Sequence, residues 1–488
     1  MTTQLLTARN WIGGEWVESG TWLDSINPAT SEKIGIYADG GEAEAKLAVT
    51  AARKAFVETT WRDDRRLRSR VLNEMADRFE AASEELVDML CLENGKVRGE
   101  ARFEVDMVPH KLRFYAALAL TDAGRAIETS AGRYSTALRE PMGVAGIVAP
   151  WNSPVVLFIR SLGPALAAGC TVAGKLPGWT AQTNARMYQV FSEVKSMPAG
   201  VLNVFTGLHS AGVRYIIDAP EVPVISYTGS TKVGQEISAA GAKHLKRFGL
   251  ELGGKTPILV FDDADLDKAL PVVEKALTTF AGQFCMTGSR LLVHRPILDE
   301  VRRRLGERLE AVKAGPAADA SSDMGPMINI ENVQRVDGLV EEAIGAGAKV
   351  IVRGGPFKVG PLSKGAFYRP ALLEITDHSI PIAQNEVFGP VLVMQAFDTE
   401  AEAVALANNS MYGLCASVWS QDIDRPLRIA RRLDAGTVWI NNWAVVYDET
   451  EEGGFKQSGL GRLNGIAAMD DFIEHKTIIH EIDLTPAA

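Results

Sequence analysis

The chain has 488 residues, 46% of them hydrophobic and 23% charged, and a formal net charge of −10. That length accommodates two or three domains with full cores, and the composition is that of a soluble globular protein. The acidic balance speaks against a nucleic-acid or anionic-membrane partner, either of which would select a basic face. Four scattered cysteines suit a reducing compartment rather than a disulfide framework. Residues 1–10 show no charged-then-apolar leader. The most apolar stretch, residues 144–171, is interrupted by Pro150, Pro154, Arg160 and Pro164, which makes it a poor membrane span. The expectation is a cytoplasmic protein. The seven histidines are scattered, and His475 and His480 share neither a helix face nor a strand face, so no metal is assigned.

In chain order, the alternating segment 133–139 comes first, without an obvious home in either of the two α/β units that follow. Residues 143–149 read as a strand, 155–168 as an amphipathic helix, 171–174 as a strand and 181–194 as a helix. Residues 201–205 and 223–228 read as strands, and 231–240 as a helix. Strands alternating with helices predict a parallel, doubly wound sheet that takes ligands at the carboxyl ends of its strands. A second α/β set begins near Pro257, where Asp263 or Asp265 can cap a helix running towards Phe280. A helix over 329–344 follows, with strands at 348–352, 391–396, 415–419 and 437–441. The tail 476–482 alternates like 133–139.

The residues with chemistry are few. Cys285 lies between Gly282 and Gly288, which leave room for backbone turns and a close-approaching ligand. A buried, inert cysteine is the commonest fate of the residue, and Cys91, Cys170 and Cys415 fit it. Glu251 follows an apolar strand and precedes Leu252, Gly253 and Gly254, surroundings that would raise a carboxyl pKa towards that of a useful base. The run Val224 through Thr228 to Gly229 and Ser230, with Gly234 after it, can offer backbone N–H groups and a positive helix end to a phosphate. It is neither a P-loop nor a full GxGxxG fingerprint, and taken alone it is a turn. Pro150 and Pro154 stiffen the loop that carries Trp151, Asn152 and Ser153. There Asn152 either caps a turn or donates to an oxyanion, an effect of about 3–4 kcal/mol.

Together, the Phe284-Cys285-Met286-Thr287-Gly288 run, Glu251-Leu252-Gly253-Gly254-Lys255 and Gly229-Ser230-Thr231 with Gly234 resemble the aldehyde dehydrogenase superfamily, nearly end to end. The resemblance implies a Rossmann-type cofactor domain (1–122 and 143–252) and an α/β catalytic domain (253–453). It also implies oligomerisation segments (123–142 and 454–488), with a hairpin and an edge strand that pair across subunits in a homodimer or homotetramer. It implies oxidation of an aldehyde to a carboxylic acid with NAD or NADP. Cys285 is then the nucleophile, Glu251 the base that activates water, and Asn152 with the Cys285 N–H the oxyanion donors. Cofactor contacts are implied at Pro150, Trp151, Lys175, Gly207, Gly229, Ser230, Gly234, Leu252, Glu386 and Phe388.

Four positions depart from the family pattern. Phe280 stands where asparagine is usual, Ser153 where phenylalanine is common, and Leu463 where glutamate usually follows Arg462. Gly178 stands three residues after Lys175, where NAD-preferring members carry a glutamate. Its absence removes one obstacle to a 2′-phosphate, so NAD use with relaxed discrimination is expected. Arg160 is placed either to hold the distal carboxylate of a semialdehyde substrate or to bridge helix and loop. A coenzyme A-acylating enzyme, a reductase and a non-catalytic binding protein on the same fold are the rival readings. Retention of Glu251 argues against the first, and the intact Cys285, Glu251 and Asn152 set against the last.

Overall fold

The protein is described here from a computed structural model that covers residues 5–484. The first four residues of the segment read for a leader, and the last four of segment 454–488, lie outside the described residues. Among the described residues no helix is long and apolar enough to cross a membrane.

Two sheets organise the chain. The first has eight strands, with Val144–Val148 near its centre. On one side follow Thr171–Pro177 and Leu202–Gly207, and on the other Val224–Thr228 and Arg247–Glu251, all parallel. The strands Val144–Val148, Thr171–Pro177, Leu202–Gly207 and Val224–Thr228 are buried at every position, as parallel strands covered by helices on both faces must be. The chain order along these five strands reverses between Val144–Val148 and Val224–Thr228. At that switch point the loops after both strands splay apart and leave a crevice. Both edges are closed by antiparallel strands. Gly459–Leu460 pairs with Arg247–Glu251, and Asn10–Ile12 pairs with Leu202–Gly207. Part of segment 454–488 therefore completes the eight-stranded sheet.

The second sheet has seven strands, with Thr256–Val260, Gly288–His294, Val391–Phe397 and Cys415–Trp419 at its centre. The strand Gly288–His294 is absent from the sequence reading, because its arginine and histidine break the apolar run that marked the others. The chain passes from one sheet to the other between Glu251 and Thr256.

Several expectations are corrected. The helix Pro154–Ala168 is not amphipathic: all of its residues are buried, so it is apolar around its circumference and forms the core between layers. The helix capped by Asp265 spans Leu266–Thr278 and stops short of Phe280. Three long helices, Glu42–Glu58, Arg65–Ala81 and Arg98–Thr121, precede the first predicted strand and were not predicted. Two further helices, Ala211–Asp218 and Leu298–Ala311, were also missed. The two alternating segments pair with each other in the same chain: Arg133–Pro141 lies between Arg125–Ser130 and Ile473–Glu481 in a separate three-stranded sheet.

Candidate active site

The helix Leu266–Thr278 ends in a turn of strained backbone. Phe280 and Ala281 both have φ +53° and Gly282 has φ +71°. A left-handed conformation costs a non-glycine residue about 1–3 kcal/mol, so the surroundings must enforce it. They do so from several sides. Glu100 accepts from the Phe280 N–H at 2.9 Å. The Gln283 side chain donates to the Phe280 carbonyl at 3.0 Å and accepts from the Ile328 N–H at 2.9 Å. A Cβ on Gly282 would stand 2.3 Å from the Gly389 carbonyl carbon, so only glycine fits there. The turn delivers Cys285 half-buried at the amino end of Gly288–His294. Cys91 is also half-buried, whereas Cys170 and Cys415 are fully buried. Burial pushes the Cys285 thiol well above the usual thiol range; the Glu452 carboxylate adds to this and Arg160 opposes it.

Asn152 faces this turn and donates through Nδ2 to the Gln283 carbonyl at 3.0 Å, leaving its second N–H for another acceptor. Its loop is clamped by a buried ion pair between Lys96 and Glu104, both 1% exposed. Glu104 accepts from the N–H groups of Val155 and Val156 at 2.8 and 3.3 Å, where the amino end of the helix Pro154–Ala168 favours negative charge. Lys96 also donates to Ser153 Oγ at 3.1 Å and sits 3.7 Å from the centroid of the Phe280 ring. The two family departures at 153 and 280 thus meet on one cation: a hydroxyl accepts from it, and an aromatic face covers it.

Two clefts meet at Cys285. The first, about 870 Å³ including its open mouth, is lined by Pro150, Trp151, Asn152, Gly229, Ser230, Glu251, Leu252, Glu386 and Phe388. It lies at the switch point, where the helix Thr231–Gly241 begins and Ser230 accepts from the Val233 N–H. That helix end comes close to the strand tips because Gly234 would, with a Cβ, stand 2.5 Å from Leu252. Glu386 accepts from the Gly254 N–H at 3.0 Å. Trp151 and Phe388 meet edge to face at 5.5 Å. Lys175, Gly207 and Gly234 do not line this cleft. Lys175 is buried on its strand, and burial lowers its pKa to about 8 while Asp39 acts to raise it. Gly207 lies beside it, a Cβ there standing 3.5 Å from Lys175 Cε. Arg335 and Asn332 line the cleft but were not predicted; on the helix Ile330–Gly345 they look like ordinary surface polar residues.

Glu251 ends its strand fully buried, with Oε1 lacking a hydrogen-bond partner. Desolvation pushes its pKa up to about 8; Arg160 acts to lower it and Glu452 to raise it.

The second cleft, about 580 Å³ including its open mouth, takes Ser153, Arg160 and Cys285 together with Phe103, Phe284, Val446 and Glu452. Phe103, Val446 and Glu452 come from distant segments and were not found in the sequence, whereas Phe284 immediately precedes Cys285. Arg160 is 3% exposed. It donates through Nη1 to Glu452 at 2.5 Å and through Nη2 to Thr228 Oγ1 at 3.2 Å.

This arrangement can hold a dinucleotide on one side of a thiol and an aldehyde on the other. The model of the aldehyde dehydrogenase family matches residues 16–478. A betaine aldehyde dehydrogenase of Bacillus subtilis is 36% identical over 471 residues, covering 96% of both chains. A 2-hydroxymuconic semialdehyde dehydrogenase of a Pseudomonas species is 34% identical, covering 96% of this chain and 98% of its own. Among solved structures, betaine aldehyde dehydrogenase of Staphylococcus aureus, with NAD+ and a BME-modified cysteine, superposes with a TM-score of 0.95 at 34% identity over 98% of each chain. With matches along nearly its whole length, this chain belongs to the aldehyde dehydrogenase family and is an enzyme that oxidises an aldehyde to a carboxylic acid with a nicotinamide cofactor.

Proposed function

We propose that Cys285 attacks the aldehyde from the apolar cleft, that Asn152 and the Cys285 N–H hold the resulting oxyanion, and that Glu251 serves as the base. The observation that carries this is the placement of Cys285 as a lining residue of both clefts. Because burial keeps the resting thiol protonated, a base must take its proton. Glu251 lines the same cleft as Cys285, is unpartnered at Oε1, and has a pKa raised close to working pH. The dinucleotide, when bound, accepts hydride from the former aldehyde carbon and leaves a thioester on Cys285. Glu251, once it has released the thiol's proton to solvent, orients and deprotonates the water that releases the acid.

The first cleft suits NAD. Its volume is within the range of small-molecule sites, a helix amino end is available to the pyrophosphate, and the Glu386 carboxylate stands where a ribose could be held. Lys175, buried beside Gly207, would meet the adenosine end, and Gly178 leaves NADP less strongly opposed than a glutamate would. The domain boundary proposed at 252 falls where the chain passes from one sheet to the other, whereas Gly459–Leu460, beyond the boundary proposed at 453, pairs in the first sheet. A homodimer or homotetramer is supported by the edge strand Ile473–Glu481, which carries the exposed Ile478 and Ile479, since a long exposed edge strand is a template for pairing with another chain. Four free cysteines suit the cytoplasm.

Cys285→Ala is the direct test. It should abolish aldehyde-dependent NADH formation while leaving NAD binding by tryptophan quenching within about twofold, since the thiol contributes little to cofactor binding energy. Substantial turnover in the variant would remove Cys285 from this role.

A further inference from the structure

The second cleft contains a charge arrangement that neither the family match nor the relatives' substrates explain. Its walls are apolar, with three aromatic rings, Phe103, Phe280 and Phe284, among aliphatic side chains such as Met107, Leu157 and Val446. Phe284 packs edge to face on Phe280 at 5.3 Å and on Trp443 at 5.9 Å, and Trp443 is anchored through Nε1 to the Met286 carbonyl at 2.9 Å. Two acids and two bases also line the cleft, Glu104, Lys111, Arg160 and Glu452. Each already has an opposite charge: Glu104 pairs with Lys96, Lys111 with Asp448, and Arg160 with Glu452. Asn464 ties two of these pairs together, accepting from Lys111 at 2.6 Å and donating to Glu452 at 2.9 Å.

Arg160 therefore offers no uncompensated positive charge to a carboxylate substrate. A carboxylate is gripped by two parallel N–H groups of a guanidinium whose charge it neutralises. Here Nη1 donates to Glu452, which already neutralises that charge, and Nη2 donates to Thr228, while the Nε–H has no partner. A carboxylate entering this cleft would be a second anion beside Glu452, desolvated against aromatic walls and with no cation of its own. Taking a charge out of water costs several kcal/mol unless it is paired. A cationic aldehyde meets the converse obstacle, because the acids are already neutralised.

We propose that this cleft is selective for uncharged aldehydes with an apolar, ring-bearing body, and that Glu452, by neutralising Arg160, is the residue that excludes semialdehydes carrying a distal carboxylate. This rests on the assignment of the apolar cleft as the aldehyde side of Cys285. The rings of Phe103, Phe280 and Phe284 favour a ring through offset and edge-to-face contacts. The unpartnered Arg160 Nε–H can be met by one neutral acceptor on that ring, such as a hydroxyl or ether oxygen.

The test uses the full-length enzyme with NAD and four aldehydes: 4-methylbenzaldehyde, 4-carboxybenzaldehyde, 4-(trimethylammonio)benzaldehyde and succinic semialdehyde. The first three share a ring and differ mainly in charge. The wild type should favour 4-methylbenzaldehyde over both charged rings by about 100-fold or more in kcat/KM, as expected when a desolvated charge goes unpaired. Glu452→Gln keeps an acceptor for Arg160 but removes the charge that neutralises it, and should narrow the gap to 4-carboxybenzaldehyde by about tenfold or more, chiefly through KM, with no gain for the trimethylammonium compound. Arg160→Met/Glu452→Leu removes both charges, unmasks no cation, and should keep the wild-type preference. Where Glu452→Gln, with its lone buried cation, does not fold, the wild-type comparison of charged and uncharged rings still decides. Wild-type preference for either charged ring or for succinic semialdehyde would overturn the proposal while leaving the aldehyde-oxidising reading intact. Oxidation of none of the four would overturn both.

Discussion

Replacing Lys96 by methionine tests whether the buried ion pair beside the nucleophile turn sets catalytic geometry as well as stability. Lys96 and Glu104 are each 1% exposed, so the substitution leaves Glu104 as an uncompensated buried carboxylate. Breaking one partner of such a pair costs about 3–5 kcal/mol. The lost contact with the Phe280 face at 3.7 Å accounts for roughly 2 kcal/mol of that. The rate should respond as well. Phe280 holds a left-handed φ of +53° that the chain would leave if released, and Cys285 lies five residues further along. A displacement of about 1 Å at the reacting atom costs on the order of 100-fold. The assay pairs urea unfolding with the pre-steady-state burst of NADH from a saturating aldehyde. Lys96→Met should lose about 3–5 kcal/mol of stability and slow the burst by roughly 10–100-fold. Lys96→Met/Glu104→Gln should recover much of the stability, because no lone charge remains, but not the burst rate. A Lys96→Met enzyme that is less stable yet bursts at the wild-type rate would refute the reasoning and reduce the pair to a structural element.

Glu251, with its pKa raised to about 8, should make thioester hydrolysis rise with pH through that value. Glu251→Gln should flatten the profile and slow the burst as well as thioester hydrolysis, hydrolysis the more; an unchanged profile would contradict the assignment. The same shift makes Glu251 stabilising in its protonated form. Below its unfolded-state pKa near 4.5 the contribution is fully present, and it fades as pH rises towards about 8, where the folded form ionises. Unfolding midpoints of Glu251→Gln should therefore fall less than those of the wild type across that window. Gly178→Glu should not simply restore strict NAD preference. A Cβ at 178 would stand 2.5 Å from the Tyr37 hydroxyl and 3.2 Å from Leu208 Cα, so overpacking of about 1–3 kcal/mol is expected. Comparing NADH and NADPH formation with the unfolding midpoint in this variant checks it, and a fully stable, NAD-specific Gly178→Glu enzyme would count against the packing argument.

What the sequence determined by itself was the alternation of apolar strands and helices from residue 143 onwards, and with it a doubly wound sheet whose switch point carries Gly229 and Ser230. These are local signals: period, caps and glycines at close approaches are written in consecutive residues. Cys285, Glu251 and Asn152 were legible for the same reason, each lying in a short run whose neighbours are chemically distinctive. The N-terminal helices were not, because Arg65–Ala81 and Arg98–Thr121 present charged faces at regular spacing and bury their other side chiefly against each other and against Pro154–Ala168. The meaning of Arg160 was likewise undecidable from its surroundings in the chain. Glu452 lies 292 residues away, and only the folded chain brings the two side chains into one desolvated pair. Lys96, Ser153 and Phe280 converge in the same way from three separate segments. Proximity of side chains from distant segments follows from packing of the layers, and short-range patterning carries no record of it.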